Sequence, residues 1–329
     1  MNGPGNAAGN AIDALWLLLA QFLQMFLVLG LAPLLTGLVR KVKARLQRRQ
    51  GPPLWQPYLD LRRLFLKDAV LADNASWLFR IVPYLLFSVT WIAASLVPTF
   101  ATGLTYHWTG DLIAIAGLLG AGRFAQALAG MDVGTSFGGI GSSREVMFAS
   151  LAEPAMIMIV FCVALIAGST QLSTIADHMA HGAVGLRVSL ALALFALIIV
   201  AIAENGRIPV DNPATHLELT MVHEAMVLEY SGRHLALVDL AAFLKLLLYI
   251  SLIGCLFFPF GMARSSDGLG FYAGGLVLYV MKLMAGGVLL GVFEMSIAKM
   301  RVFRVPNFLG IAFMLGLLGV LLLFVSRGM

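Results

Sequence analysis

Glu153, Glu204 and Glu294 each fall within a strongly apolar stretch of this 329-residue sequence, and so do three cations, Arg123, Lys245 and Lys282. An ionised side chain at the centre of a bilayer costs at least about 2.5–3.5 kcal/mol, so such groups face a bundle interior or a watery cavity. Burial also brings a carboxylate's titration toward working pH, where it can take up and release protons. A series of such groups is what a proton path needs. A blander reading stands beside it. Lys245 and Lys282 can be structural ion partners, and Glu294, close ahead of Lys299 and Arg301, can snorkel from a helix end.

Redox chemistry is harder to place in the chain. It has only two cysteines, Cys162 and Cys255, both inside apolar runs, whereas an iron–sulfur cluster usually takes four thiolates. There is no C-x-x-C pair, no G-x-G-x-x-G after a strand, no phosphate-binding G-x-x-x-x-G-K-[ST], and the six histidines lack zinc-like spacing. The cysteines read as packing residues. Electron carriers are expected in partner chains.

The elements that must position these groups are membrane helices. The AVILMFWYC residues make up 60% of the chain and the charged residues 12%, with a mean hydropathy of +0.91; a soluble domain is about 45–50% apolar and about 25% charged. A span takes about 20 residues. Hydropathy predicts eight of them, at 12–39, 81–102, 110–130, 145–167, 186–204, 240–260, 271–298 and 306–326. Residues 1–11 contain no Lys or Arg, so the first span reads as retained rather than as a cleaved leader. The fold class is an all-α integral membrane protein, a single transmembrane domain over 1–329 with a cytoplasmic amphipathic helix.

Segments 40–80, 131–144, 205–239 and 299–305 carry ten, one, two and three Lys or Arg, against only Arg264 and Arg327 on the other side. The positive-inside rule then puts both termini outside and the long loops in the cytoplasm. The run Arg40-Lys41-Val42-Lys43-Ala44-Arg45 follows a span directly, which suits lipid headgroups or an acidic partner rather than nucleic acid. In 54–67, apolar and aromatic residues alternate with Asp60, Arg62, Arg63 and Lys67 at helical spacing, giving a helix that lies along the interface. Segment 205–239 contains Arg207, Asp211, His216, Glu218, His223, Glu224 and Glu229, too many ionisable groups for a mere connector. Both segments, 40–80 and 205–239, are expected to dock partners. His216 and His223 read as surface contacts.

Three motifs carry a family resemblance. Arg49-Gln50-Gly51-Pro52 with Trp55-Gln56-Pro57-Tyr58-Leu59-Asp60-Leu61-Arg62-Arg63 resembles the first cytoplasmic loop of the complex I membrane subunit called NADH dehydrogenase subunit 1. Gly138-Gly139-Ile140-Gly141-Ser142-Ser143-Arg144-Glu145 with Glu153 resembles its third loop and fourth helix. Glu204-Asn205-Gly206-Arg207-Ile208-Pro209-Val210-Asp211 resembles the exit of its fifth helix. Within the family, the run from Glu204 to Met226, Tyr230-Ser231-Gly232 and Phe293 to Arg301 are similar to the membrane-bound [NiFe]-hydrogenase branch, of hydrogenase-4 and formate hydrogenlyase type. Quinone-reducing relatives carry extra acids where this chain has Ala214 and His216, which puts a quinone site in doubt.

The resemblance implies a membrane anchor and coupling subunit. Soluble hydrogenase-like large and small subunits and a ferredoxin-like subunit would hold the NiFe centre and iron–sulfur clusters, and antiporter-like membrane subunits would move protons or Na⁺, in a bacterial or archaeal cytoplasmic membrane. It implies a proton path over Glu153, Glu204, Glu294, Glu229, Glu218, Lys245, Lys282 and Arg123, and docking through Gln56, Asp60, Arg62, Arg63, Lys67, Arg144, Arg207 and Asp211. A quinone-binding subunit of a complex I-like enzyme is the alternative. A stand-alone transporter is a third reading, against which stands the lack of an internal repeat.

Overall fold

The computed structural model describes residues 4–181, 188–210, 222–264, 267–298, 300 and 304–327. The helices are α1 (Pro4–Leu46), α2 (Gln56–Phe65), α3 (Trp77–Leu96), α4 (Leu112–Asp132), α5 (Ser136–Ala167), α6 (Leu172–His181), α7 (Val188–Glu204), α8 (His223–Val227), α9 (Gly232–Phe257), α10 (Leu269–Ser296) and α11 (Val305–Arg327). Seven of them are long and apolar enough to cross a membrane, and α7 is a shorter apolar helix. These eight match the eight expected spans in order.

Their ends differ from the hydropathy reading, for local reasons. Ser76, Asp111 and Thr135 accept hydrogen bonds from the backbone N–H groups of Leu78, Ile113 and Gly138 and so start α3, α4 and α5. Helix α5 therefore begins at Ser136 rather than at 145, and the glycine-rich motif 138–145 is helical rather than a loop. Gly168, at φ 73°, ends it in the left-handed conformation. Helix α1 continues to Leu46, so the basic run Arg40–Arg45 lies on its last turns. Helix α9 starts at Gly232, which shortens the expected loop 205–239, and α6 lies in a stretch read as loop.

Helix α9 is the central column, with 61% of its apolar window buried against 22% for α10. It packs on α1, α2, α3, α6, α7 and α10, while α4 and α5 pack together and α11 covers α5 and α7. At the end of the bundle where α3 stops, a short parallel pair, Ala101–Thr102 with Ala263–Arg264, ties two loops together. At the other end the amphipathic α2, slightly shorter than the expected 54–67, rests on α1 and α9. Its Leu61 is buried and its Tyr58 hydroxyl donates to the Gly30 carbonyl.

Helix α7 stops inside the bundle. The chain after it turns inward: Val210, Val222, Ala225, Met226 and Tyr230 are all buried. A Cβ at Gly141 would come within 2.9 Å of the Val222 carbonyl oxygen and of Met226 Cγ. The glycines of the 138–145 motif thus let this segment lie flat on α5. The Tyr230 ring stacks on Phe79 at 4.0 Å, and Ser231 Oγ both donates to the Val70 carbonyl and accepts from the Val70 N–H at 2.8 Å. The described part of the expected cytoplasmic surface 205–239 is therefore largely interior.

Candidate proton-transfer network

The described part of helix α7, Val188–Glu204, has 17 residues and runs about 25 Å at about 1.5 Å per residue. Its last residue, Glu204, meets Lys245, which lies thirteen positions past Gly232 on α9 and so about 20 Å along that helix. A carboxylate at a helix C-terminus faces the negative end of the dipole and is disfavoured there. Two cations offset this. The Arg123 guanidinium from α4 pairs with Glu204, and Lys245 Nζ lies 2.9 Å from its other oxygen. Arg123 Nε also reaches Glu145 of α5 at 3.5 Å. Arg123 and Glu204 have side chains only 5% and 4% exposed, so the group holds two cations and two anions out of water, with formal charges balanced.

A second cluster lies at the ends of α1 and α10. Glu294 has a fully buried side chain and takes Lys43 Nζ at 2.6 Å and Arg207 Nη1 at 3.7 Å. Burial pushes the Arg207 guanidinium below its ordinary value, and Glu294 opposes that while Arg40 adds to it. Arg40 reaches Asp60 of α2 at 3.8 Å, and both lie within electrostatic range of Asp239 on α9, as does Glu224. Asp239 and Lys245 are six positions apart on the same helix, about 9 Å along its axis. Charged groups therefore run from the α1 and α10 ends, past Arg40 and Asp239, toward Lys245, Glu204, Arg123 and Glu145.

Beside them a cavity of about 620 Å³ opens between α4 and α5, with Arg123, Glu204 and Tyr249 at its base and Glu153 on its wall. A smaller one of about 230 Å³, lined by Glu145, shares Arg123, Phe124 and Glu153 with it.

Of the expected path residues, Glu204, Lys245 and Arg123 meet in one cluster and Glu294 forms the other. Glu294 does not snorkel, because both its oxygens face cations inside the bundle. Glu153 is exposed on the surface of the chain and reaches the network only through the cavities. Glu229 is half-buried and outside the ion pairs found among the described residues. Lys282 joins neither cluster: it donates to the Phe258 and Phe260 carbonyls at 2.6 Å each, closing the C-terminal end of α9. Glu218 and Asp211, like His216, lie outside the described residues.

Among the expected docking residues, Arg62, Arg63 and Lys67 are exposed and Arg144 is half-buried. Gln56 donates to Asp60 at 2.9 Å, and Arg207 faces inward to Glu294. His223, expected at the surface, is half-buried with Nδ1 3.0 Å from Gln126 of α4.

Glu145, Lys43 and Asp239 were missed as members. Glu145 and Asp239 stood at or just outside expected helix ends, and Lys43 was absorbed into a basic run assigned to headgroups. Helical phase was a weak signal: Glu145 and Glu153 are eight apart, about 80° around the helix, close enough to line one cavity. No group of three or more metal-ligating side chains occurs among the described residues.

A family model described as NADH dehydrogenase matches residues 19–326. The chain is 34% identical over 303 residues to hydrogenase-4 component C of Escherichia coli (strain K12), covering 92% of this chain and 95% of that protein. It is 33% identical to formate hydrogenlyase subunit 4 of the same organism, covering 87% and 92%. It is 26% identical over 290 residues to NADH-quinone oxidoreductase subunit 8 of Rhodothermus marinus, covering 85% and 82%. Its fold is that of a chain in the membrane-bound sulfane sulfur reductase, an archaeal respiratory membrane complex. The TM-score is 0.77 at 19% identity, over 93% of this chain and 99% of that one.

Proposed function

We propose, from the premise that this chain belongs to the NADH dehydrogenase subunit 1 family, that it is the membrane anchor and coupling subunit of a membrane-bound hydrogenase complex of hydrogenase-4 or formate hydrogenlyase type. Soluble hydrogenase-like and ferredoxin-like subunits carry its electrons, and antiporter-like membrane subunits carry its protons or Na⁺. It sits in the cytoplasmic membrane of a bacterium or archaeon, both termini outside. The observation that carries this reading is the buried, charge-balanced group of Glu204, Arg123, Lys245 and Glu145 at the point where α7 breaks off. Neutralising one member unbalances the rest in a medium of low dielectric, so a charge change at one end is felt at the other. Redox work at the α1, α2 and α10 end is thereby passed into the bundle.

Glu204→Gln keeps shape and hydrogen bonding but removes the titration. Arg123 keeps Glu145 as its anion, and Lys245, unlike a guanidinium, can give up its proton, so the complex is expected to assemble and to turn over with an artificial electron acceptor, while its ion gradient in proteoliposomes drops at least tenfold. A full gradient from normally assembled Glu204→Gln complex refutes the reading.

Docking has its own expected result. Arg62 and Arg63 are exposed on α2, so Arg62→Glu with Arg63→Glu should lower retention of the soluble arm several-fold at moderate salt, because reversed rim charges act on partner electrostatics. Unchanged co-purification would remove α2 from the docking surface.

A second reading is favoured by the similarity to a quinone oxidoreductase subunit: the chain would then form part of a quinone site. Extraction of the purified complex separates the two, since nickel without stoichiometric quinone supports the first and quinone without nickel the second.

A further inference from the structure

The trough between α4 and α5 sets an apolar rim over an ionic base. Its rim is apolar, with Ile113, Phe124, Ile157 and Phe161 all about half exposed or more. Its α4 wall is low, because Gly117, Gly120 and Ala121 lie there. Its base is ionic, formed by Arg123 and Glu204 with the Tyr249 side chain. On its wall stands Glu153, seventeen positions past the α5 start at Ser136 and so near the middle of that helix. Glu153 is exposed, and among the described residues it has neither a hydrogen-bond nor an ion-pair partner. A lone carboxylate facing hydrocarbon is costly, and such groups almost always meet a partner or a watery cavity.

We propose that this trough receives a transmembrane helix of another membrane subunit, and that this helix brings a hydrogen-bond donor, from Lys, Arg, His, Asn or Gln, to Glu153. The proposal rests on the reading of the chain as one subunit of a membrane complex. Three observations select a helix. A phospholipid headgroup sits at the interface and cannot reach the middle of α5, and an acyl chain brings no donor. Gly117 lets a second backbone come close, as small residues do at membrane helix interfaces, while Gly120 makes room for the Glu153 carboxylate, whose Oε1 lies 3.3 Å from where a Cβ would stand. The unpaired carboxylate specifies the sign of the missing charge or dipole. The trough is thus complete only in the assembly, where the incoming helix closes it and places its donor beside the Arg123 and Glu204 group.

The test uses the purified complex with its native partners. The photo-crosslinking residue p-benzoylphenylalanine replaces Phe124 or Ile157 on the rim, with Leu321 on the exposed face of α11 as control. Illumination is expected to join both rim positions, at least fivefold above the control, to a membrane span of a different polypeptide. That span should carry one of the named donors within a turn of the joined residue. Adducts to phospholipid, to quinone or to a second copy of this chain, yields no higher than the control, or a span lacking a donor would each overturn the proposal.

Gly117→Trp gives an independent arm, because nothing beyond its own stretch of helix lies within 4 Å of the position where its Cβ would stand. The chain can hold the indole, but the trough is filled. Recovery of the crosslinked subunit relative to the soluble arm should then drop at least fivefold, and full recovery would refute the site. Loss of the rim crosslinks leaves the Glu204→Gln gradient test standing, and a failed gradient test leaves the crosslinks standing.

Discussion

Arg123→Met is expected to abolish assembly of the complex, with recovery of the chain alongside its partners falling at least tenfold. The guanidinium is the shared partner of Glu204 and Glu145, and its removal leaves two carboxylates facing one cation, Lys245. Breaking a buried ion pair from one side costs about 3–5 kcal/mol, because the abandoned charge stays out of water. Arg123→Met combined with Glu204→Gln removes one charge of each sign, so assembly should return while the ion gradient stays absent. Size-exclusion chromatography of the tagged complex reads the first quantity and proteoliposomes the second. A single variant that assembles like the parent, or a double variant no better than the single, would show that charge balance is not what holds α4 to α7.

The Glu294→Gln variant is expected to have the next largest effect. It strands two cations, Lys43 and Arg207, against a side chain that is fully buried, and the cost should again be about 3 kcal/mol or more. Burial already depresses Arg207, and Glu294 is the group that opposes this, so without the carboxylate the guanidinium loses its compensation. Combining Lys43→Met with Glu294→Gln should restore only part of the loss, because Arg207 remains without its carboxylate. Thermal unfolding of the purified complex at 50 mM and 500 mM salt separates this from a surface effect. Buried pairs are weakly screened, so the deficit of Glu294→Gln should be the same at both, whereas retention through Arg62 and Arg63 should be salt-dependent. A deficit that vanishes at high salt would place Glu294 in an exposed pair.

The spans were legible because length and hydropathy are properties of single segments. Helix α7 showed itself in that way too. The ends of α1, α5 and α9 were not legible, because charged residues mark the expected ends: Lys43 on α1 and Asp239 on α9 read as loop, and Glu145 as the first residue of its span. Their helices continue because partners on other elements take up those charges, and no window along one segment contains Glu294 or Arg123. The candidate site was half legible for the same reason. Charge inside an apolar run picked out Glu204, Lys245 and Arg123, but hydropathy cannot tell a face that meets a cavity from one that meets a neighbouring helix. Hence Glu153, expected to face a bundle interior or a watery cavity, stands at an open trough, and Lys282 was grouped with residues it does not meet. The two carbonyls that Lys282 binds are displayed only after α9 has ended beside α10.

The early stop of α7 also bears on how the chain is made. The helix carries Glu204 at its trailing end. During synthesis Arg123 has already emerged, whereas Lys245 follows 41 positions later. Glu204 then has one of its two cations until α9 has entered the membrane. Stable placement of α7 accordingly waits on its successor, and chains truncated between α7 and α9 should leave Glu204 within reach of water-soluble carboxyl reagents, while chains extended through α9 should not.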